Sequence, residues 1–436
     1  EDAAGAANTD GATAIDTAVV DFSVGVDQVD QDGLVASGDS TIDLLIAEID
    51  FSIDGMTRNQ QAVGDHINAI LTGDGVVTTA ENTLTQLFAL IANKPLGEED
   101  AVIDLIDRLT TEGYAATQVD TLFAADRFAD AQFDCERRTE VRFDLETGEC
   151  LWMQFEGAFF DRDDSFQFKP IDSRSFRYAG GVQVRLDETW RLGVSGAYEV
   201  VTLEMGERFR GLGDRGHFGV TARYQKSGFD LGFGVSGGYG VFDSRRRIGI
   251  DETVASQDSA RLTIEQADVD QAITTGMARL SAKWRGETAD GRFYLEPQID
   301  LDATYVHSHD ATEQNAGQVG VALDGGGQFI FAGSPAIEAG AKFVVHDAAV
   351  FRPFVRAGFT AFSDDEMHVD AFLIGAPASA GSFRNRSGFD QLVGEGAVGF
   401  VLEDPQLGLH FALGYDVLLG RDTQQHGVRA TLGVRF

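Results

Sequence analysis

From Trp152 to Phe436 apolar residues recur at every second position, and the connections between the alternating segments are short and long by turns. The alternation is plain in VQVRL (182–186), FGVTARY (218–224), FVVHD (343–347) and VRATLGVRF (428–436). A period of 2 is that of a strand with two unlike faces. It predicts twelve strands, at 151–161, 173–187, 189–200, 216–226, 229–243, 273–286, 291–308, 334–346, 350–363, 388–403, 406–419 and 424–436. Tight connections fall at 187–189, 226–228, 286–291, 347–349 and 404–406. Longer polar ones fall at 162–172, 201–215, 244–272, 309–333 and 364–387, and the last, 420–424, is short. An up-and-down barrel that crosses an outer membrane needs this rhythm, with tight turns on the periplasmic side and longer loops outside. A soluble sandwich imposes no such regularity.

The final segment sharpens the expectation. Val428, Ala430, Leu432, Val434 and Phe436 share one face, and Arg429, Thr431, Gly433 and Arg435 the other. An apolar face toward lipid and a cationic face toward a lumen is the pattern of a barrel wall. No run of 18 apolar residues exists, which excludes a spanning helix and leaves strands as the means of crossing. The 51 glycines and 32 phenylalanines against 7 prolines suit strands rather than disorder.

The N-terminal third reads differently. Positions 1–134 hold 26 acidic and 4 basic residues, a large share of the net charge of −36. That balance argues against nucleic acid as a partner and keeps the segment soluble. Residues 1–40 are small, acidic and turn-rich. From Thr41 the spacing of Ile42, Leu45, Ile49, Ile53 and Met56 predicts a helix, capped by Asp39 or Ser40. Further helices are expected over Thr78–Ala92, Glu98–Leu109 and Tyr114–Phe133. No signal peptide opens at Glu1, so the chain is read as a mature product or as the remainder of a longer one. Cys135 and Cys150 are close enough for a local disulfide in an oxidising compartment, worth roughly 3 kcal/mol in the chain-entropy model, with two free thiols as the other reading.

The segment TEGYAATQVDTLFAADRFADAQF (111–133) directly before the first strand, the run CERR…GECLW with Cys135, Cys150 and Trp152, the strand count and the terminal Phe436 occur in an order that resembles the translocator domain of autotransporters (type V secretion) over about 110–436. The resemblance implies an all-β transmembrane barrel of about 12 antiparallel strands, with an N-terminal α-helical region and a helix in or near the lumen. It divides the chain into an acidic, helical, passenger-like region (1–98), a pore helix and disulfide-linked junction (99–150) and the barrel (151–436). It also implies an outer-membrane location with surface-exposed loops, lipid and lipopolysaccharide as surroundings, and recognition of Phe436 by the outer-membrane assembly machinery. A helix of this length spans about 34 Å, enough to cross the membrane inside the barrel. Its Asp120, Asp126 and Asp130 are expected to meet lumen-facing Arg185, Arg223, Arg279, Arg356 and Arg429, against the alternative of ordinary solvated charges. With the last strand ending in the periplasm, the helix enters the lumen from the side of Cys135 and Cys150.

The chain departs from the family in having at most about 110 residues, without repeats, before the pore helix. Gly38-Asp39-Ser40 lacks the partners of a hydrolase triad and reads as a helix cap. Asp27, Asp30 and Asp32 lack the spacing of a calcium loop. Arg245-Arg246-Arg247 either touch anionic lipopolysaccharide or are solvated. No constellation specifies an enzyme, a metal or a cofactor. Two functions remain. In one, the barrel anchors and displays a short helical region at the cell surface, with self-association through the stripe Leu45, Ile49, Ile53, Ile67, Ile70 and Leu71. In the other, a plugged pore or structural barrel keeps its helical region in the periplasm.

Overall fold

The computed structural model describes residues 20–25, 43–72, 83–95, 97–133, 149–253, 261–346, 349–404 and 406–435. Its centre is a barrel of twelve antiparallel strands. These are β1 (Cys150–Arg162), β2 (Ile171–Arg185), β3 (Trp190–Met205), β4 (Phe209–Lys226), β5 (Phe229–Thr253) and β6 (Arg261–Trp284). They continue as β7 (Phe293–Ser308), β8 (Gly326–Ala341), β9 (Ala349–Phe362), β10 (Leu392–Asp404), β11 (Leu409–Leu419) and β12 (Thr423–Arg435). Each strand pairs with the next, and β12 pairs with β1 from Thr423↔Arg162 to Arg435↔Cys150, closing the cylinder and leaving no free edge in the wall. The β4–β5 turn shows why the tight connections are tight. Ser227 and Gly228 adopt φ of +52° and +79°, the pair of positive angles that matches the twist of a two-residue hairpin.

The wall is apolar outside and polar inside. On β1, Leu151, Met153 and Phe155 are exposed while Trp152, Gln154 and Glu156 are buried. Along β3 the exposed face runs Trp190, Leu192, Val194, Tyr198, Val200, the length a tilted strand needs to cross a bilayer. Trp190, Tyr224 and Trp284 mark the tight-turn rim, and Tyr178, Tyr198 and Tyr239 the opposite one.

Beyond the second rim the phase of the alternation reverses. On β5 the apolar residues up to Val241 face outward, whereas Phe242, Ile248 and Ile250 face inward and are buried. Lipid surrounds the lower wall and water the upper one, so apolar side chains turn toward lipid below and toward a protein core above. The segments 201–215 and 244–272, expected as loops, are therefore strand for most of their length: β3 and β4 are joined by three residues, and β5 and β6 run 25 and 24 residues. A second, four-stranded sheet (311–312, 321–324, 366–373, 383–388) folds over the same end.

The N-terminal region contains α1 (Arg58–Thr72), α2 (Thr83–Ala92), α3 (Glu99–Asp107) and α4 (Glu112–Gln132). The expected helix from Thr41 is corrected. Asp43–Ile49 is a strand, paired antiparallel with Val20–Gly25, and the helix starts only at Arg58. A seven-residue stretch with Leu44, Leu45, Ile46, Ala47 and Ile49 as its apolar positions fits both periods, and the partner strand decides between them. The expected caps Asp39 and Ser40 lie outside the described residues.

Candidate functional site

Helix α4 occupies the lumen. Nineteen of its 21 residues are buried, on every side, which only a tube around the helix produces. Its direction is fixed at both ends. At the N-terminal end Glu112 accepts from Arg162 Nη2 at 2.8 Å and from Lys169 N at 3.0 Å, and Thr111 N donates to Asn385 Oδ1 at 2.5 Å, all at the long-loop end. Gly113 lies so close to Phe209 that a Cβ there would come within 2.2 Å of the ring. At the other end Arg223 Nη1 donates to Phe133 O at 3.2 Å and its guanidinium lies over the Phe133 ring, near the tight turns. The upper half of α4 is held by aromatic packing, with Phe123 against Phe160, Phe362 and Phe389 and Tyr114 edge-on to Phe209.

From Asp120 downward the helix is also held by charge, in two clusters. In one, Arg127 reaches Glu199 at 2.8 Å and Glu156 at 3.3 Å, Arg215 reaches Asp120 at 2.7 Å and Glu199 at 3.4 Å, and Arg177 pairs with Glu156. Ser173 Oγ adds a bond to Asp120 Oδ1 at 2.5 Å. In the other, Arg279 bridges Asp302 of the wall at 2.7 Å to Asp130 at 2.5 Å and Asp126 of the helix. Arg356 and Arg429 stand 4.0 Å from Asp130, and Arg429 also meets Asp416 at 3.0 Å. Buried charges are tolerable when each has such partners, and removing one leaves the other stranded.

The expected entry from the side of Cys135 and Cys150 is corrected: α4 starts at the long-loop end and only its C-terminal end reaches the Cys150 side, so α1–α3 lie over the long-loop end. Asp104 and Asp107 of α3 pair with Arg208 in the β3–β4 turn, Arg108 Nη1 donates to Gly249 O at 2.5 Å, and Lys94 meets Glu252 at 2.9 Å. Asn59 Nδ2 donates to Arg386 O at 2.8 Å. Ile67, Ile70, Leu84, Leu87 and Val102 join Ile248, Ile250, Leu262 and Ile264 of the wall in one continuous apolar core. His66 is buried there, accepts from Leu373 N at 3.3 Å and packs on Phe383. Burial lowers its pKa to about 4.

A family model described as "Autotransporter beta-domain" matches residues 151–416, more than half of the chain. The chain belongs to this autotransporter family. Among solved structures, the translocator domain of autotransporter NalP from Neisseria meningitidis is similar at a TM-score of 0.58 and 13% identity, covering 75% of this chain and 100% of that one. The transport unit of autotransporter AIDA-I from Escherichia coli matches at 0.48 and 13% identity, covering 74% and 97%, and the β-domain of the Bordetella autotransporter BrkA at 0.46 and 15%, covering 66% and 99%. No curated protein matches. The autotransporter barrel is an outer-membrane protein.

Within this autotransporter barrel the residues singled out from sequence take the following places. Asp120, Asp126 and Asp130 lie on the lumen helix, and Arg279, Arg356 and Arg429 face the last of them. Arg223 turns to Asp230 and to the end of the helix rather than to its carboxylates. Arg185 instead donates Nε to Asp187 O at its own tight turn. Cys150 is buried beside Trp152; Cys135, Phe436, the acidic Asp27–Asp32 run and Gly38–Ser40 lie outside the described residues. Arg127, Arg177, Arg215, Glu156 and Glu199 also belong to the lumen and are not among the residues singled out from sequence. Arg177 has the parity of Arg185 and was recoverable from alternation; Arg215 fell in a segment read as loop; Arg127 inverts the expected scheme of an acidic helix in a basic lumen. Among the described residues no group of three or more His, Cys, Asp or Glu side chains is placed to hold a metal.

Proposed function

We propose that the barrel anchors the N-terminal helical region at the cell surface and holds it there as a docked cap over the outer mouth, with α4 as the stalk that threads the lumen. The direction of α4 carries this reading. With tight turns in the periplasm, α1–α3, which precede Glu112, lie on the outside. A periplasmic helical region would need α4 reversed, with Glu112 among the tight turns. The reading assigns the chain no catalytic step. It also changes the role of the apolar stripe. Ile67 and Ile70 are buried against the barrel and Ile53 is half-buried, while Leu71 is exposed, which supports an internal use for the Ile67 and Ile70 part of this face over self-association. The assembly machinery as reader of the C-terminal strand, and the division at about residues 98 and 150, belong to the same proposal.

Accessibility in intact cells tests it. Gln61→Cys, at an exposed position of α1, is expected to react with a membrane-impermeant maleimide as fast as a cysteine placed in the β5–β6 connection (254–260). Labelling only after the outer membrane is permeabilised would refute surface display.

A further inference from the structure

Two cavities lie one above the other on the outward side of the wall. The lower, about 400 Å³, is lined by Gly157, Phe159, Phe176, Val200 and Leu212, with Arg174 beside them. The upper, about 660 Å³, lies between the β3–β4 turn and the outer parts of β5 and β6 and is lined by Arg210, Arg245 and Arg247. The strand register joins them. Thr202 pairs with Leu212 at the lower cavity, and Glu204 with Arg210, two residues on, at the upper. Arg210 and Arg245 are themselves a cross-strand pair, so their side chains are neighbours on the outward face.

The join coincides with the limit of the membrane. On β3 the exposed apolar face ends at Val200 and is followed outward by Thr202 and Glu204. The lower cavity is at the top of the hydrocarbon and the upper one among headgroups. Arg245 is engaged by Asp268 at 2.8 Å, but the other two arginines are loosely held: Arg210 stands 3.4 Å from Glu204 and Arg247 4.0 Å from Glu207, with side chains 60% and 66% exposed. Exposed pairs of this kind contribute little. A guanidinium binds a phosphate through two parallel hydrogen bonds, which these carboxylates do not provide here. Glu204, Glu207 and Glu265 share the cavity.

We propose that this groove binds a phosphorylated, multiply acylated glycolipid of the outer leaflet, with an acyl chain in the lower cavity and phosphate on Arg210 and Arg247. The assignment rests on the long-loop end facing outward, but its test in detergent does not depend on orientation. The full chain is titrated with bisphosphorylated lipid A, dephosphorylated lipid A and phosphatidylglycerol and followed by native mass spectrometry. One lipid A is expected to be retained. Arg210→Ala/Arg247→Ala, which removes the phosphate contacts, and Val200→Trp, which fills the lower cavity, should each weaken retention at least tenfold. Dephosphorylated lipid A should bind the wild type as poorly as lipid A binds the double variant. Unheated samples must migrate as folded barrels on SDS gels in every case. Equal retention of phosphatidylglycerol, or an unchanged affinity in either variant, would overturn the proposal.

Discussion

Glu199 is the residue on which the lumen cluster converges, since Arg127, Arg215 and His217 all lie within 3.6 Å of its carboxylate. Glu199→Gln leaves two guanidiniums short of a counter-charge, and the folded barrel should lose about 3–5 kcal/mol. Adding Arg127→Met should restore most of that loss. Thermal unfolding of the two variants measures both, and a single variant as stable as the wild type would show that the cluster does not hold the helix. His66 gives a second test. Its neutral form is favoured in the fold, so the unfolded region binds more protons between pH 6.5 and about 4. Docking is then fully present above pH 6.5 and weakens as pH falls toward 4, by about 3 kcal/mol at most. Asp104, which burial pushes up but Arg108 and Arg208 hold below the usual carboxylate range, adds a loss of the same sign at lower pH. Hydrogen exchange of α1 should accelerate beyond its intrinsic pH dependence over this range, and His66→Gln should flatten that part of the change.

At the scale of elements, what was legible follows the solvent. The strands at 216–226 and 229–243 stand in the sequence because lipid demands one apolar face throughout. Their outward continuations did not, because the phase reverses between Val241 and Phe242 and the new outer row, Asp243, Arg245 and Arg247, resembles a polar loop. Helix α4 was legible by length and position, but its mixed composition fits no amphipathic scheme, since a tube buries it on all sides. Asp43–Ile49 was misread because its strand partner, Val20–Gly25, lies far back in the chain. Ile67 shows what the α1 face does. Ile67→Asp puts an unpaired carboxylate in the cap core and should abolish protection of α1–α3 while the barrel still migrates as folded. Loss of the barrel together with the cap would mean that the two are not separable.

At the scale of the molecule, one chain makes three layers along the membrane axis: an apolar cap outside, an aromatic and then charged lumen around α4, and a tight-turn rim that receives Phe133 and Cys150. A disulfide between Cys135 and Cys150 would tie the exit of α4 to the start of β1. Intact mass should rise by two hydrogens on reduction, and an unchanged mass would show free thiols. The direction of α4 remains the claim on which the functional reading turns. Asp120→Cys/Ser173→Cys and Asp120→Cys/Arg223→Cys, oxidised in the membrane and mapped by mass spectrometry, test it most directly. A cross-link is expected in the first pair and none in the second; a cross-link to position 223 instead would show that the helix runs the other way.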